Sequence, residues 1–361
     1  MAGAKRIVVK AGTSTICGEG GGLNRRAVTN LARQLAAVMQ SGLRATLVAS
    51  GAIGAGLAEL GLTERPKTMP MLQAVAAVGQ GQLMRTFHDV FARRGIRVAQ
   101  VLLTGDDFED RARYLNIRNT LAALTECHAL AIINENDTVA VDEIRFGDND
   151  VLAALVANML GADLLVFLTN VDGVMKGGRV VDVIEQVDDQ ALALAGTERS
   201  RLGSGGMASK LLAAGMVTRA GMVAVIANSA APQVLTRLLA GEKIGTVFVP
   251  AKRKMSSRRR WIGQASRPAG KLIVDAGAAN ALARLGKSLL PSGITAVHGK
   301  FDKGATVAVV DPGGRQIARG LTNYSAEQID KIKGLKTGEI AKALGDKRYD
   351  EVIHRNNMTL E

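Results

Sequence analysis

The stretch AIINENDTVAVDEIRFGDNDVLAALVANML, residues 131–160, joins two apolar segments through a long polar connection. The first segment is short and rich in β-branched residues, which indicates a buried strand, whereas residues 150–160 carry apolar side chains at helical spacing. Short carboxylate and amide side chains lie in the connection: Asn134, Asn136, Asp137, Asp148 and Asn149. A strand, a polar turn and a helix form the repeating unit of an α/β fold, so these side chains are candidates for a ligand site at a strand end.

Five other segments have the same short, apolar character: RIVVK (6–10), ATLVAS (45–50), VAQVLL (98–103), DLLVFLT (163–169) and MVAVIAN (222–228). Such runs are typical of strands that are buried on both faces of a parallel sheet. Longer segments with helical periodicity lie between them, including residues 24–42, which we expect to end with Gly42 as the C-cap. The alternation predicts a three-layer α/β/α sandwich with a mainly parallel central sheet over residues 1–250.

The pattern changes after residue 250. Residues 251–270 are basic without a hydrophobic period, which predicts an interdomain linker, and residues 271–361 contain short strand-like runs between Gly and Pro turns. These features are typical of a small β-rich domain followed by a tail. Of the formal net charge of +13, most lies in residues 251–361, which hold 21 Lys and Arg against 10 Asp and Glu. Such a basic module either faces a polyanion or is a solvated surface, and the lack of interleaved aromatic residues in 252–260 favours a solvated linker there.

The composition also bears on membrane insertion, cellular compartment and metal binding. The chain has 361 residues, of which 47% are hydrophobic, and no apolar run reaches the roughly 18 residues of a membrane span. Cys17 and Cys127 are too far apart to indicate a disulfide framework, so we expect a reducing, cytoplasmic environment. The four histidines and two cysteines show no metal-ligand spacing, and no metal site built from side chains is predicted.

Three glycine-rich turns follow strand-like segments and are candidates for binding an anion. The first holds Lys10 and Gly12, the second holds Ser50 and Gly51, and the third, LGSGGMASK (202–210), leads to Lys210. Small residues let backbone N–H groups approach a phosphate, and a helix N-terminus adds partial positive charge. One such turn is a common connector, but three of them, two with a lysine, indicate a phosphate site.

The polar connection in 131–160 has two interpretations. Asp148 and Asn149 suit the cap of the following helix, and capping alone is an alternative for Asp148. Capping does not explain Asn134, Asn136 and Asp137, which could bind a cation, either Mg²⁺ or a substrate ammonium. A ligand with both charge signs would fit, with its carboxylate on the Ser50 turn and its ammonium on Asp137.

Seven motifs resemble those of the amino acid kinase family, and specifically its glutamate-kinase branch: VVKAGTS, SGAIGAG, AAVGQGQL, INENDTVA, FGDNDVLAALVA, LTNVDGV and GSGGMASK. The resemblance covers essentially the whole chain, including residues 271–345, which look like a PUA domain. It implies ATP-dependent phosphorylation of the side-chain carboxylate of L-glutamate, the first step of proline biosynthesis. It further implies Mg²⁺ held mainly through the nucleotide phosphates, a homodimer or homotetramer, and free proline as a feedback inhibitor.

Carried over residue by residue, the resemblance implies three sets of site residues. The catalytic set is Lys10, Lys210 and Asp150, with Asp150 orienting the two lysines. Glutamate would be bound by Gly12, Ser50, Gly51, Asn134, Asp137, Asp148 and Asn149. ATP would be bound by Lys10, Thr169, Asn170, Ser204, Gly205, Gly206, Met207, Ala208, Ser209 and Lys210.

The sequence departs from the family pattern on the presumed nucleotide side. Asn170 stands where the family usually has Asp, and the segment after VDGV is shorter and turns on Gly177 and Gly178. Both departures bear on nucleotide selectivity rather than on phosphoryl transfer.

Two alternative functions remain open at the level of sequence. One is a related carboxylate kinase acting on N-acetylglutamate or aspartate; an N-acetylated substrate offers no ammonium group to Asp137. The other is an RNA-binding protein that acts through the basic PUA-like domain, which would not require the strand-end residues between 10 and 210.

Overall fold

The computed structural model describes residues 3–18, 21–140, 149–195, 206–252, 255–265, 268–345 and 349–360. The chain forms two compact units. The first comprises Met1–Asp107 with Arg111–Lys254, and the second comprises Phe108–Asp110 with Met255–Glu361. Within the described ranges, every helix falls short of the combined length and hydropathy that crossing a bilayer demands.

The first unit is built on an eight-stranded sheet with the spatial order β3-β4-β2-β1-β5-β9-β10-β8. Its strands are β1 (Arg6–Ala11), β2 (Arg44–Ala49), β3 (Arg97–Leu103), β4 (Ala129–Glu135), β5 (Leu164–Thr169), β8 (Val183–Ile184), β9 (Val223–Asn228) and β10 (Thr246–Phe248). Neighbouring strands are parallel except β9 and β10, which are antiparallel. The prediction of a mainly parallel sheet is therefore confirmed, and each of the six apolar segments forms one of its strands.

The helices of the first unit lie on both faces of this sheet. They are α1 (Thr13–Ile16), α2 (Arg25–Gln40), α3 (Ala52–Glu59), α4 (Met69–Ala92), α5 (Gly105–Glu109), α6 (Arg111–Glu126), α7 (Asn149–Leu160), α8 (Asp189–Ala193), α9 (Met207–Arg219) and α10 (Val234–Leu239). The last two residues of α5, Phe108 and Glu109, belong to the second unit. Apolar residues of α2, α4 and α10 form one core cluster with Ile7 and Val9 of β1. Because side chains alternate along a strand, Val8 and Lys10 face the opposite layer, where α7 packs against β1.

The boundaries of helix α2 differ slightly from the prediction. Asn24 caps its start, since the Asn24 side chain accepts hydrogen bonds from Arg26 N and Ala27 N. The helix ends at Gln40 with Ser41 as its C-cap, so the assignment of the C-cap to Gly42 was wrong by one residue. Gly42 adopts a φ of +87° just beyond the cap, where a left-handed residue commonly ends a helix.

Helices α3 and α4 pack with their backbones in direct contact. A Cβ atom on Gly79 of α4 would overlap Ala52 O, and a Cβ atom on Gly56 of α3 would overlap Val75 O. Only glycine therefore permits this approach. The contact fixes α4 relative to the turn between β2 and α3.

A two-stranded ribbon projects after β5. Strands β6 (Met175–Lys176) and β7 (Arg179–Val180) are antiparallel and are joined by Gly177 and Gly178. Both glycines have positive φ, at 57° and 78°, as a two-residue hairpin turn requires. The prediction that this shortened segment turns on the glycine pair is confirmed.

The second unit contains a five-stranded sheet with the order β12-β11-β13-β14-β15. Its strands are β11 (Gly270–Val274), β12 (Ile294–His298), β13 (Thr306–Val310), β14 (Gln316–Leu321) and β15 (Met358–Leu360). Its α-helices are α11 (Ser257–Arg260), α12 (Ala276–Leu285), α13 (Ala326–Ile332) and α14 (Ile340–Leu344). Leu272, Val307 and Ile353 are among its buried core residues, which gives this unit a hydrophobic core of its own. The prediction of a small β-rich domain is confirmed.

The segment predicted as a linker contains helical structure. Helix α11 continues into a π-helix at Trp261–Ala265. Trp261 is buried and donates a hydrogen bond from Nε1 to Phe108 O at 2.9 Å. The indole thus anchors this helical segment within the second unit.

Candidate active site

Two lysines from distant parts of the sequence meet at one carboxylate. Lys10 Nζ lies 2.6 Å from Asp150 Oδ1, and Lys210 Nζ lies 3.0 Å from Asp150 Oδ2. Lys10 extends from β1, whereas Asp150 and Lys210 belong to the first turns of α7 and α9. The parallel sheet and its following helices therefore bring the three residues together near the carboxyl ends of the strands.

The lysine pair and Asp150 are almost completely removed from solvent. Lys10 and Lys210 are 4% and 8% exposed, and Asp150 is fully buried. Burial by itself would raise the pKa of Asp150, but the ammonium groups of Lys10 and Lys210 and a 2.8 Å hydrogen bond from Ser209 Oγ hold that pKa below its ordinary value. Two ammonium groups against one carboxylate leave a net positive charge, which suits a phosphate group.

Helix α9 adds backbone donors on the same side. Its N-cap is Gly206, which supplies no side-chain cap, and its first turn consists of Met207, Ala208, Ser209 and Lys210. The N-terminus of a helix, with its backbone N–H groups and the positive end of the helix dipole, favours an anion. Gly12 adjoins the lysine, since a Cβ atom there would lie 3.6 Å from Lys10 Nζ, at ordinary contact distance. These features fit the phosphates of a nucleotide.

A second cluster, made of amide and hydroxyl groups, links β4, α7 and the turn after β2. Asn134 Oδ1 accepts a hydrogen bond from Asn149 Nδ2 at 2.9 Å, and Asn149 Nδ2 also donates to Ser50 Oγ at 3.0 Å. Asn149 Oδ1 is buried without a hydrogen-bond partner among the described residues. Since Ser50 Oγ accepts from Asn149, its own proton remains available. The cluster thus offers one donor and one acceptor to a ligand.

Gly51 shapes the turn that carries Ser50. It is the N-cap of α3 and adopts a φ of +103°, in the left-handed region that favours glycine. A Cβ atom at this position would also crowd Ile16 and Cys17, at 3.0 and 3.1 Å. Glycine therefore allows Ser50 to reach Asn149.

Asp137 lies in the turn that follows β4. Burial raises the pKa of its carboxyl group to about 6, and the positive charge of Arg65 opposes this shift in part. A carboxylate that is poorly solvated in this way gains from a ligand cation placed beside it. Asp137 therefore fits a role in recognising an ammonium group.

Two of the residues expected to bind ATP, Thr169 and Asn170, lie at the end of β5. Thr169 ends β5 and donates from Oγ1 to Asn170 Oδ1 at 3.3 Å. Thr169 is paired with Asn228, whose Nδ2 donates to Asp172 Oδ1 at 2.8 Å. The sequence-based prediction did not include Asn228. Its position resembles that of Asn134, because each is a polar residue at the carboxyl end of an apolar strand.

Three of the predicted site residues, Asp148, Ser204 and Gly205, lie outside the described residues. The remaining ones fall into the two clusters and the neighbouring strand ends described above. Gln80 is an addition that the sequence analysis did not assign: its Oε1 accepts from Asn134 Nδ2 at 2.8 Å. Gln80 lies in the motif AAVGQGQL. The feature that could have identified it is a polar residue between two glycines in an otherwise apolar helical segment.

Comparison with known proteins identifies the family. The profile of the amino acid kinase family matches residues 5–228, and that of the PUA domain matches residues 270–344. The glutamate 5-kinase of Caldanaerobacter subterraneus subsp. tengcongensis is 50% identical over 362 residues, which cover 98% of this chain and 97% of that protein. The chain belongs to the glutamate 5-kinase family.

Other comparisons agree with this assignment. The glutamate 5-kinase of Moorella thermoacetica is 47% identical, covering 98% of this chain and 96% of that protein. Among solved structures, the carbamate kinase from Giardia lamblia bound to AMP-PNP aligns with a TM-score of 0.50 at 19% identity. That alignment covers 70% of this chain and 100% of the carbamate kinase, and at this identity it shows the fold alone. The resemblance noted in the sequence and the fold class are both confirmed.

Proposed function

We propose that this chain transfers the terminal phosphoryl group of ATP to the side-chain carboxylate of L-glutamate, giving L-glutamyl 5-phosphate and ADP, the first step of proline biosynthesis. The observation that carries the proposal is the double salt bridge of Asp150 with Lys10 and Lys210, because it holds two cations at one point of the sheet edge. Full-length relatives that are named glutamate 5-kinases support glutamate as the acceptor.

The reaction requires no general base. The side chain of free glutamate has a pKa of about 4.3 and is ionised at neutral pH. A carboxylate oxygen forms a bond with the γ-phosphorus while the bond between that phosphorus and the bridging oxygen of ADP breaks, and ADP leaves with the electron pair. The protein therefore has to align the two substrates and stabilise the charge on the phosphoryl oxygens.

The two lysines and helix α9 perform the electrostatic part of this work. Lys10 and Lys210 neutralise charge on the transferred group and on the leaving phosphate, and Asp150 reduces the repulsion between their ammonium groups. In this proposal the segment 204–210 binds ATP together with Thr169 and Asn170, and the N-terminus of α9 faces the phosphates.

Magnesium fits this site through the nucleotide. The part of the chain that the structure describes has no cluster of three or more His, Cys, Asp or Glu side chains able to hold a metal ion. Both oxygens of Asp150 already face cations. Mg²⁺ would accordingly be held by the phosphates of ATP and by water, where it supplies further charge neutralisation.

Glutamate is held by the amide and hydroxyl cluster together with Asp137. In this assignment, the Ser50 hydroxyl donates a hydrogen bond to a substrate carboxylate, Asn149 Oδ1 accepts one from the ammonium group, and the Asp137 carboxylate supplies the opposite charge. Gly12, Gly51, Asn134 and Asp148 complete the set. A substrate without a free amino group leaves Asp137 unpaired, which disfavours N-acetylglutamate.

We expect L-glutamate to be the preferred acceptor in a coupled assay of ADP release. N-Acetylglutamate and L-aspartate should each show a kcat/KM lower by at least about 100-fold, because one lacks the ammonium group and the other is one methylene too short. Comparable turnover of either alternative would contradict the assignment. An RNA-binding function is not favoured, since the relatives match as kinases over nearly the full chain; sequence-selective RNA binding at about 150 mM salt would argue for it.

The affinity for glutamate should depend on pH through Asp137. Its pKa of about 6 means that the carboxyl group is ionised above pH 6 and protonated below it. Only the ionised form pairs with an ammonium group. The ionised fraction of Asp137 falls about tenfold between pH 7 and pH 5, so the KM for glutamate should rise by about the same factor.

The substitution Asp137→Asn provides the control for this pH dependence. This variant should have a higher KM for glutamate throughout and a flat profile between pH 5 and pH 7. A wild-type KM that does not change over this range would remove Asp137 from substrate recognition.

The proposal extends to organisation and regulation. We assign residues 1–250 to the kinase domain, residues 251–270 to a linker whose helical part is packed into the second unit, and residues 271–361 to the PUA domain and tail. We further propose a cytoplasmic homodimer or homotetramer, with free proline competing with glutamate.

A further inference from the structure

Helix α4 reaches the proposed glutamate site at two points through glutamine side chains. Gln73 Nε2 donates a hydrogen bond to Ala140 O at 3.1 Å, and Gln80 Oε1 accepts one from Asn134 Nδ2 at 2.8 Å. The two glutamines are seven residues apart, so they lie on the same face of the helix about 10 Å from each other along its axis.

These contacts enclose one short segment. Asn134 and Ala140 are the ends of a stretch that contains Asp137, and the stretch is folded on itself by bonds from Val139 N and Ala140 N to Asn136 O, both at 3.1 Å. Helix α4 therefore holds this segment on both sides of Asp137.

Gln73 donates its hydrogen bond whereas Gln80 accepts one, and the neighbouring groups determine both directions. Asn134 Oδ1 already accepts from Glu135 N and Asn149 Nδ2, both at 2.9 Å, so Asn134 Nδ2 must face Gln80 and requires an acceptor there. Asn134 is only 2% exposed, which leaves little access for water to replace that acceptor. The carbonyl group of Ala140 can only accept, so Gln73 must present its NH₂ group.

Helix α4 is itself held against the other half of the site. Through Gly79, next to Gln80, it packs on the backbone of Ala52 in α3, directly after the Ser50–Gly51 turn. The spacing between the Asp137 segment and Ser50 is thus set by one rigid helix.

We propose that Gln73 and Gln80 are positioning residues for glutamate, which act through Ala140 and Asn134 and do not contact the substrate. This proposal rests on the proposed function, because it assumes that Asp137, Asn149 and Ser50 bind the amino acid. It assigns a role to the motif AAVGQGQL, and it makes Gln73 a required donor and Gln80 a required acceptor.

The same substitution at both positions tests the proposal. Gln80→Glu keeps an acceptor facing Asn134, so its KM for glutamate should stay within about threefold of the wild type. Gln73→Glu places a carboxylate against the carbonyl oxygen of Ala140 and should raise the KM for glutamate by about tenfold, since it replaces a partly buried hydrogen bond with a repulsive contact. Gln80→Met, which has no comparable acceptor, should show a similar rise. The KM for ATP should change less than twofold in all three variants.

Matched controls separate positioning from general damage. Gln82→Glu adds the same charge on the opposite side of α4 and should leave both KM values unchanged. Assays at pH 8 keep Asp137 ionised, and thermal melting of each variant verifies that it is folded.

The possible outcomes are distinct. Equal responses of Gln73→Glu and Gln80→Glu, or parallel changes in the KM values for glutamate and ATP, would overturn the proposal. If a Glu variant fails to fold, Gln73→Met and Gln80→Met replace it. Each removes one of the two hydrogen bonds, so the KM for glutamate should rise while the KM for ATP stays unchanged, and equal changes in both KM values would overturn the proposal. Absence of glutamate turnover in the wild-type protein would instead refute the proposed function on which the proposal rests.

Discussion

Replacement of Lys210 or Lys10 by alanine is expected to lower kcat by about 10²–10³-fold, with a smaller effect on the KM for glutamate. Each lysine supplies a buried positive charge where negative charge moves during phosphoryl transfer, and removal of one preorganised group of this kind costs about that factor. Each variant retains a salt bridge between Asp150 and the other lysine, so we expect the fold to survive.

The measurement is steady-state kinetics of ADP release alongside circular dichroism and thermal melting. Lys243→Ala serves as a control, because Lys243 is an exposed lysine of the same unit, remote in sequence from every proposed site residue. Near-normal turnover in either lysine variant, with the fold intact, would show that the phosphate site lies elsewhere.

Replacement of Asp150 by asparagine should have the largest effect on stability as well as on activity. Asp150 is fully buried between two ammonium groups, and its neutral replacement leaves these charges facing each other without a counterion. Removing one partner of a buried ion pair costs about 3–5 kcal/mol of the free energy of unfolding. Catalysis should also fall by orders of magnitude because the two lysines lose their common anchor.

Denaturant unfolding of Asp150→Asn compared with Asp89→Asn tests this prediction. Asp89 forms an ion pair with Arg25 at 3.3 Å in which both side chains are largely exposed, at 42% and 61%. Such a surface pair contributes at most about 1 kcal/mol. If the two variants lose similar stability, the buried carboxylate does not have the role assigned to it.

Local patterns in the sequence were sufficient to predict the strands and the type of fold. The six runs are recognisable because apolar, β-branched residues dominate strands of a parallel sheet that is covered on both faces, and all six form strands of the central sheet. The end of α2 was less predictable, because either Ser41 or Gly42 can end a helix and tertiary context decides between them.

Most residues of the candidate site were predicted individually, but the hydrogen bonds between them were not. Lys10 and Lys210 were recognisable from glycine-rich turns, and the family resemblance supplied Asp150 as their partner. The hydrogen bond between Asn149 and Ser50 joins residues 99 positions apart, and no local pattern encodes such a contact. Gln73 and Gln80 were missed for a related reason: on a helix, a polar residue that faces a strand end has the same spacing as one that faces solvent.

The position of β1 in the sheet has a consequence for synthesis of the chain on the ribosome. β1 precedes the other strands of the sheet in this sequence, yet it lies in the interior of the sheet between β2 and β5. A nascent chain released between residues 50 and 163 would contain β1 and β2 but not β5, so the backbone N–H and C=O groups on one edge of β1 would have no partner strand. Premature termination or proteolysis in this region is therefore expected to yield fragments that carry an aggregation-prone strand edge rather than a smaller folded domain.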